Sequence, residues 1–404
     1  MSVKHKHIVI LGGGFAGVAA GMKLKKQLGH LPIKVTLIDR NPYHLFTPSL
    51  YEVATSEEPK NNIAFPFKEM FDDKFTILKN YVEKIDPKTK EIFLMGDGTI
   101  SYDYLIIAAG SRPAYYNIPG LKEHSIAFKS LPEAVKIKNK IKTTCCKEGV
   151  CNRKVQVVIG GGGFSGTELA AEFLTYKDRL ARQHGLAQDC LQVTIIQGSD
   201  RLLKELDEHV SHIAQTRLSE PNVHFAFGGH IKGVTDTEVL TDDGKSYPYH
   251  LLIWTGGVEA NHLGIKSKLP VNKRGQITVD NFLQVQGFDN IFSAGDIAGF
   301  IDPKTQKPIP NVAQVAEEQG YIAAENVIRS IEKKSLKPYD YRHFGYVVPI
   351  RGRFAVAELM DNIHFDGIIG WLLQQIVFLR YLLGIMPFFG AFKRWNKFEL
   401  DLEQ

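Results

Sequence analysis

Apolar runs that end in glycine or in one polar residue recur along this chain, and their order predicts a parallel sheet. Residues 7–11 lead into a glycine-rich loop, and residues 18–28 are expected to form the helix after it. Residues 35–38 form the next run, which ends at Asp39. Strand, loop, helix and strand in this order are typical of a doubly wound α/β fold.

The same order returns further along the chain. Residues 157–159 lead into a second glycine-rich loop, and residues 193–196 form a run that ends at Gln197. Residues 251–258 also repeat the pattern of residues 104–110, in which an apolar run is followed by small residues. We therefore predict two homologous Rossmann-like units.

Both loops carry the G-x-G-x-x-G pattern of dinucleotide-binding proteins. Its glycines are Gly12, Gly14 and Gly17 in the first loop, and Gly161, Gly163 and Gly166 in the second. Glycine permits the tight turn, lets the backbone approach a pyrophosphate and lets the helix pack close to the strand. The helix N-terminus then faces the phosphates with free N–H groups. Two such loops predict a chain that holds two dinucleotides and passes a hydride between them.

The residues that end the second strand of each unit differ in charge. An acid such as Asp39 usually binds the ribose hydroxyls of the nucleotide. Gln197 is neutral, so it does not repel a 2′-phosphate, and Arg201 lies four residues further on. We therefore predict that the second site accepts NADPH as well as NADH.

The length of 404 residues predicts two or three domains. We expect a first nucleotide-binding domain from residues 1–118 and 286–335, a second from residues 119–285, and a C-terminal region from residues 336–404. The net charge of +5 does not argue for nucleic-acid binding, although it favours an anionic membrane face.

The four cysteines show neither metal-site nor secreted-disulfide spacing, which favours a reducing compartment, and we expect no metal. The basic stub 1–7 is too short to be a targeting peptide. Cys146 and Cys151 have the C-x4-C spacing of flavin disulfide reductases, but they lie in the crossover before the second unit. We interpret this pair as structural or incidental.

The C-terminal region is unusually apolar and aromatic. Residues 368–386 approach the length of a membrane span, although Gln374, Gln375 and Arg380 interrupt them and Pro387 ends them. The segment that follows places Phe388, Phe392 and Trp395 at helical spacing, beside Lys393, Arg394 and Lys397. This pattern favours a helix in the membrane interface over a buried or dimer-forming helix and over a true span.

The whole chain resembles the type II NADH dehydrogenases, which are single-subunit flavoproteins that pass electrons from NADH to quinone. The resemblance is carried by residues 41–54, 254–258, 294–296 and 313–320, and by the aromatic tail. It implies two Rossmann-like domains with a C-terminal helical membrane-docking region, FAD in the first loop and NAD(P)H in the second.

The resemblance also assigns residues. Gly12, Gly14, Gly17, Asp39 and Asp296 would bind FAD, while Gly161, Gly163 and Gly166 would bind the pyridine nucleotide. The other expected cofactor contacts are Phe15, Ala16, Arg40, Ala109, Gly110, Phe164, Gln197, Gly257, Gly295, Ala313 and Gln314.

Three residues are expected to act in catalysis. Glu172 matches a glutamate near the nicotinamide and flavin, and it shares a helix face with Glu168. Gln314 matches a glutamine that faces the quinone, and Glu318 stands where the family often has glutamine. Glu172, Glu318 or the flavin would supply a proton to the quinol.

The chain departs from the family at one further position. A lysine-glycine stretch near the flavin, expected between Tyr346 and Ile350, is absent. Arg351 or Arg353 is expected to replace its charge.

These observations predict an NAD(P)H:quinone oxidoreductase that docks through residues 365–398 on the cytoplasmic face of the cell membrane, with a homodimer formed through the tail. Two alternatives stay open: an NAD(P)H oxidase or ferredoxin/rubredoxin-type reductase without quinone, and a redox-sensing flavoprotein with incidental turnover. Sulfide oxidation is disfavoured, because it needs a late cysteine and none follows Cys190.

Overall fold

A computed structural model arranges the apolar runs in two five-stranded sheets, and it describes residues 5–55, 63–71, 73, 75–96, 98–145, 154–184, 190–359 and 363–402. Every neighbouring pair of strands in both sheets is parallel. The spatial order of the first sheet is Ile291–Ser293, Tyr104–Ile107, Lys6–Leu11, Ile33–Asp39 and Phe75–Lys79. The order of the second is Ser125–Ala127, Leu251–Trp254, Val155–Gly160, Leu191–Gln197 and Val223–Phe227.

The first sheet is buried on both faces, because different elements cover its alternating side chains. Ile8 and Ile10 pack in the cluster that includes the helix Phe15–Lys25. Val9 and Leu11 belong to a cluster with Ile85 and Ile92 of an antiparallel sheet on the opposite face. That sheet contains Val82–Asp86, Glu91–Leu94 and Thr99–Ser101.

The second unit repeats this arrangement. Helices Leu131–Cys145, Phe164–His184 and Glu208–Leu218 accompany its parallel sheet. An antiparallel sheet of Ile231–Val234, Glu238–Thr241 and Ser246–Pro248 packs on the opposite face, where Val239 contacts the cluster around Val158. The duplication predicted from residues 104–110 and 251–258 is confirmed, because these strands take equivalent places beside the strands that precede the two glycine loops.

The remaining elements connect and extend the two units. Paired strands are Tyr43–Leu45 with Ala64–Pro66, Ser111–Pro113 with Val258–Ala260, and Ile277–Thr278 with Ala298–Gly299. The short helices are Thr47–Ser49, Leu50–Thr55, Phe67–Met70, Leu121–His124, Leu263–Lys266 and Gly295–Ile297. The long helix Ala313–Ile331 packs against Phe15–Lys25, and the would-be Cβ of Gly320 lies 2.0 Å from the carbonyl oxygen of Ala16. These two helices therefore pack with their backbones in near contact.

The C-terminal region begins with an antiparallel sheet and ends in two helices. The strands are Gly345–Pro349, Ala355–Leu359 and Ile363–Phe365, and the C-terminal helices are Gly367–Ile385 and Phe388–Leu402. Arg351 ties this region to the second unit through Asp178, at 2.7 Å, and through Glu220.

Some predicted boundaries were wrong. The first helix starts at Phe15 and ends at Lys25 rather than covering residues 18–28. The apolar run within residues 104–110 forms a strand that ends at Ile107, and Gly110, with φ of +63°, stands before the short strand that follows. The domain boundaries at residues 118, 285 and 335 stay a prediction.

Candidate active site

One cavity of about 2120 Å³ connects the two units with the first C-terminal helix. It is lined by both glycine loops, by the small residues after Ile107, by the N-terminal end of Ala313–Ile331 and by one side of Gly367–Ile385. Strand ends and helix N-termini therefore meet at the same place, which is where nucleotides bind in doubly wound sheets.

The first glycine loop is shaped to admit a phosphate. Gly12 has φ of +100°, and its would-be Cβ lies 2.2 Å from the carbonyl oxygen of Ala108. The would-be Cβ of Gly17 lies 1.8 Å from the carbonyl oxygen of Gly12, so only glycine lets the helix approach the strand. Gly14 faces open space, and no side chain caps the helix that follows it. This cradle fits a dinucleotide pyrophosphate such as that of FAD.

Asp39 holds this loop from the end of the neighbouring strand. Its carboxylate accepts hydrogen bonds from the backbone N–H groups of Gly13 and Asn41, each at 2.7 Å. Burial raises the pKa of Asp39, although both hydrogen bonds oppose that rise. The carboxylate thus already orders the loop that would bind the nucleotide.

The second loop repeats this geometry with an amide in place of the acid. Gly161 has φ of +113°, and the would-be Cβ of Gly166 lies 1.9 Å from the Gly161 carbonyl oxygen. The Gln197 Oε1 accepts a hydrogen bond from Gly162 N–H at 2.8 Å, as Asp39 does from Gly13. Gln197 and Asp39 are therefore structural equivalents that differ by one charge.

Arg201 lies four residues after Gln197, a spacing that suggests contact with a 2′-phosphate, but its guanidinium is bonded elsewhere. Its guanidinium donates to the carbonyl oxygens of Lys204 and Leu206 at 3.3 and 3.2 Å. These bonds hold the turn after Gln197.

Asp296 lines the cavity beside the first glycine loop, because a Cβ on the preceding Gly295 would lie 3.3 Å from the Ala16 Cβ. Its carboxylate accepts a hydrogen bond from the Ser111 hydroxyl. The Lys129 ammonium lies 3.8 Å from the same carboxylate. The Gly295 N–H donates to Oε1 of the buried Gln319 at 2.7 Å, which fixes the turn that presents Asp296.

Two glutamates lie one turn apart on the helix Phe164–His184, which follows the second glycine loop. Glu168 lines the cavity, and burial raises its pKa to about 8. Glu172 lies outside the cavity lining, where burial raises its pKa to about 7 against the opposing effects of Arg179 and a hydrogen bond to Thr55. Burial thus brings the pKa of both carboxyl groups into the neutral range.

Gln314 and Glu318 form one hydrogen-bonded group at the cavity wall. Gln314 Nε2 donates to the Glu318 carboxylate at 2.9 Å, and the Tyr339 hydroxyl donates to its other oxygen at 3.1 Å. Glu317, beside them, pairs with Arg380 of the C-terminal helix at 3.1 Å. Burial raises the pKa of Glu317, with a smaller opposing effect from Arg380.

Sixteen of the predicted site residues line the cavity. They are Gly12, Gly14, Phe15, Ala16, Asp39, Arg40, Ala109, Gly110, Gly163, Phe164, Gly257, Gly295, Asp296, Ala313, Gln314 and Glu318. The others, which lie outside its lining, are Gly17, Gly161, Gly166, Glu172 and Gln197. The three glycines and Gln197 shape the loops instead.

Several residues that line the cavity were not predicted from the sequence. Glu168 was expected only to share a helix face with Glu172, yet it lines the cavity. Its i, i+4 spacing from Glu172 could have indicated it as a site residue. No sequence pattern around Lys129 or Glu317 indicated that these residues line the cavity. Gln374 and Gln375 appeared only as interruptions of an apolar run, yet both line the cavity.

The expectation for Arg351 and Arg353 was wrong. Arg351 is occupied by Asp178 and Glu220, and the Arg353 guanidinium lies 5.3 Å from the ring centre of Trp371. Neither residue lines the cavity, so neither supplies the missing lysine's charge there. Cys146 and Cys151 lie outside the described residues.

Comparisons with known proteins agree with this architecture. The family model of the pyridine nucleotide-disulphide oxidoreductases matches residues 6–320. The chain is 31% identical over 389 residues to the demethylphylloquinone reductase NdbB of Synechocystis sp., which covers 94% of this chain and 93% of that protein. It is 26% identical over 370 residues to a type II NADH:quinone oxidoreductase of Staphylococcus aureus, covering 90% and 92%. The fold is similar to that of NDH2 from Plasmodium falciparum, solved with NADH, at a TM-score of 0.84, 20% identity and 98% coverage of both chains.

Proposed function

Because the chain belongs to the pyridine nucleotide-disulphide oxidoreductase family, we propose that it oxidises NADH and reduces a membrane quinone, with FAD as its bound redox cofactor. The single observation that carries the proposal is the shared cavity. Its wall includes the first glycine loop, the second glycine loop and the C-terminal helix. A nucleotide donor, a flavin and an acceptor that enters beside the helix would therefore meet in one cavity.

FAD would be held by the first unit and would supply the two-electron chemistry that ordinary side chains lack. Gly12 and Gly14 open the loop for the pyrophosphate, while Asp39 orders the loop from the strand end. Asp296, fixed by Ser111 and the Gly295 turn, lines the cavity beside this loop. The N-terminus of Ala313–Ile331 has no side-chain cap, and it lines the cavity. Its free N–H groups would stabilise negative charge on the reduced flavin ring.

Reduction of a quinone to a quinol consumes two protons, and this chain places titratable groups to move them. Glu168 lines the cavity with a pKa of about 8, so it carries a proton at neutral pH. Glu172 lies one turn behind it and has a pKa of about 7. We infer that Glu168 exchanges the proton at the cavity and that Glu172, predicted for this role, acts behind it.

The second site would take NADH and tolerate NADPH. Gln197 holds the Gly161 loop through its Oε1 and brings no negative charge against a 2′-phosphate. Arg201 is bonded to the carbonyl oxygens of Lys204 and Leu206, so it is not set to attract that phosphate. The expected result is weak discrimination rather than a preference for NADPH.

The acceptor would come from the membrane, on whose cytoplasmic face the C-terminal helices would dock. Among the described helices, Gly367–Ile385 is long and apolar enough to cross a bilayer. However, it packs Phe378, Tyr381 and Leu382 into the protein and exposes the opposite side. Its exposed large apolar residues, together with those of Phe388–Leu402, are Ile368, Ile369, Leu372, Ile376, Val377, Leu383, Phe388, Phe389 and Phe392. An exposed apolar side of this extent favours monotopic docking. A homodimer through this region stays a prediction.

Anaerobic stopped flow tests the proposed function. NADH should bleach the flavin absorbance of the purified protein within a turnover time, and ubiquinone or menaquinone analogues should restore it. Steady-state turnover far below about 1 s⁻¹ with every quinone, despite rapid flavin reduction, would contradict the proposal and favour a redox sensor.

A further inference from the structure

An aromatic side chain of the C-terminal sheet lies in the cavity wall beside the second glycine loop. The strand Gly345–Pro349 packs against the helix Phe164–His184, and Tyr346 of that strand lines the cavity. The ring centre of Tyr346 lies 5.3 Å from that of Phe164, with the two ring planes at 42°. The ring centre of His343 lies 4.7 Å from that of Tyr346. Ring contacts therefore hold Tyr346 between the C-terminal region and the second unit.

Phe164 stands where a bound pyridine nucleotide would enter the cavity. It begins its helix directly after Gly163, and a Cβ on Gly163 would meet nothing within 4 Å, so the space before this helix end is open to a ligand. Phe164 lines the cavity, whereas Gln197, at the adenosine-ribose end of the site, lies outside the lining. A nucleotide whose pyrophosphate rests on this helix end would therefore extend its nicotinamide half past Phe164 into the cavity.

Hydride transfer depends strongly on where the nicotinamide ring is held. The hydride leaves C4 of that ring, and the donor and acceptor atoms must approach to about 3–3.5 Å. A wall residue that changes its tilt alters this distance without touching either reacting atom. Aromatic rings that meet at an angle, as Phe164 and Tyr346 do, stabilise each other's orientation.

We propose that Tyr346 is a positioning residue for the pyridine nucleotide, because it packs against Phe164 and fixes the ring beside which the nicotinamide is seated. The inference rests on the proposed function and deepens its donor half, in which NADH reduces the bound FAD. It assigns the C-terminal sheet a part in that half-reaction, in the strand that lacks the lysine-glycine stretch expected between Tyr346 and Ile350.

Stopped-flow reduction of the flavin by NADH, without any quinone, tests the inference. Tyr346→Leu removes the ring and keeps an apolar side chain. Its rate constant for flavin reduction at saturating NADH should fall about tenfold, as expected for a misplaced nicotinamide. The isotope effect with NADH deuterated at C4 should be at least as large as in the wild type. Reoxidation of the reduced flavin by a quinone analogue should keep its wild-type rate, which general damage to the protein would not allow.

A double-mutant cycle tests whether Tyr346 acts through Phe164. Phe164→Leu should slow flavin reduction at least as much as Tyr346→Leu does. The double variant should then be no slower than Phe164→Leu alone, because the contact is already lost. Two independent tenfold effects would instead multiply to about a hundredfold loss.

Two control variants separate the ring contact from other effects. Tyr346→Phe keeps the ring and should reduce its flavin at the wild-type rate. Phe225→Leu removes one ring from a stacked pair with Phe227, 5.5 Å apart, in the same unit but outside the cavity lining. It should lower the unfolding temperature without changing flavin reduction.

Three results would overturn the inference. One is an unchanged rate constant in Tyr346→Leu, and another is a double variant whose loss is the product of the two single losses. The third is a Tyr346→Phe variant as slow as Tyr346→Leu, which would assign the effect to the hydroxyl group. If NADH does not reduce the wild-type flavin at all, the proposed function fails instead.

Discussion

The hydroxyl of Tyr381 lies 2.7 Å from His44 Nε2, and both side chains are buried. His44 Nδ1 lies 3.0 Å from the carbonyl oxygen of Gly13, which can only accept. Burial lowers the pKa of His44 to about 4, so the ring is neutral at physiological pH, with its proton on Nδ1 and Nε2 left to accept from Tyr381. The first C-terminal helix is thus joined through one histidine to the glycine loop proposed to bind FAD.

Replacing Tyr381 with phenylalanine should loosen this loop. The substitution leaves His44 Nε2 buried without a donor, which should lower the free energy of unfolding by about 1–3 kcal/mol and speed the release of FAD. Thermal unfolding and the recovery of free-flavin fluorescence measure the two effects. Tyr247→Phe, on the small sheet of the second unit, is the control, and equal FAD release from both variants would refute the link.

Nucleotide choice should respond to the charge at Gln197. Gln197→Glu keeps an acceptor for Gly162 N–H but adds a negative charge, so kcat/KM for NADPH should fall about tenfold relative to NADH. Initial rates with both nucleotides give the ratio for each protein. The proposal of weak discrimination would not survive a wild-type preference for NADH above about 100-fold, which corresponds to about 2.7 kcal/mol.

Glu168 should make folding stability depend on pH. Burial raises its pKa from the ordinary 4.5 to about 8, so between these values the folded protein holds a proton that the unfolded chain releases. Its contribution to stability is therefore complete below pH 4.5 and is lost as pH rises through about 8.

The variant Glu168→Gln isolates this effect. Between pH 5 and pH 9, the wild type should lose roughly 2–4 kcal/mol of unfolding free energy relative to the variant, as measured by urea titrations at each pH. Glu208→Gln, on an exposed position of another helix, controls for loss of a carboxylate. If the unfolding free energies of the wild type and Glu168→Gln change with pH in the same way, the raised pKa of Glu168 is contradicted.

Membrane docking should depend on the exposed aromatic residues of the second C-terminal helix. Phe389 is 86% exposed, and Phe389→Glu should weaken binding to anionic vesicles at least about tenfold while NADH-driven dye reduction continues. Met95→Glu removes another exposed apolar side chain, 61% exposed, from the first unit and should bind vesicles as the wild type does. Co-sedimentation with anionic vesicles measures the membrane binding of both variants and of the wild type. Deleting residues 365–404 is a poorer test, because it also uncovers buried core around Phe378 and Leu382.

The helices Phe15–Lys25 and Ala313–Ile331 pack so closely at Gly320 that no side chain should fit there. Gly320→Ala places a Cβ 2.0 Å from the Ala16 carbonyl oxygen and should cost about 1–3 kcal/mol of stability. Gly384→Ala is the matched change at an open helical position, where a Cβ meets nothing within 4 Å, and it should stabilise the protein by up to about 1 kcal/mol. Urea unfolding of both variants gives the comparison, and a stabilised Gly320→Ala would show that the helices can separate.

Much of the fold could be predicted from local pattern. The two glycine loops, the strands before them and the strand-end residues Asp39 and Gln197 all lie where the sequence placed them, and these two side chains hold their loops in the same way. Each strand, turn and helix start is set locally, because it depends on neighbouring backbone geometry and burial. The two loop contacts themselves span 26 and 35 positions, but the repeated strand–loop–helix–strand order already indicates them.

The arrangement of the cavity depended on contacts between distant parts of the chain. Tyr381 and His44 are 337 positions apart, and nothing in either local pattern pairs them. Arg351 was expected in the cavity because of its place in the sequence, yet packing of the C-terminal sheet carries it to Asp178. Helical periodicity shows that Glu168 and Glu172 share a helix face, but not which of them reaches the cavity. Those outcomes follow from how the two units and the C-terminal helices pack together, which is a property of the whole molecule rather than of any segment.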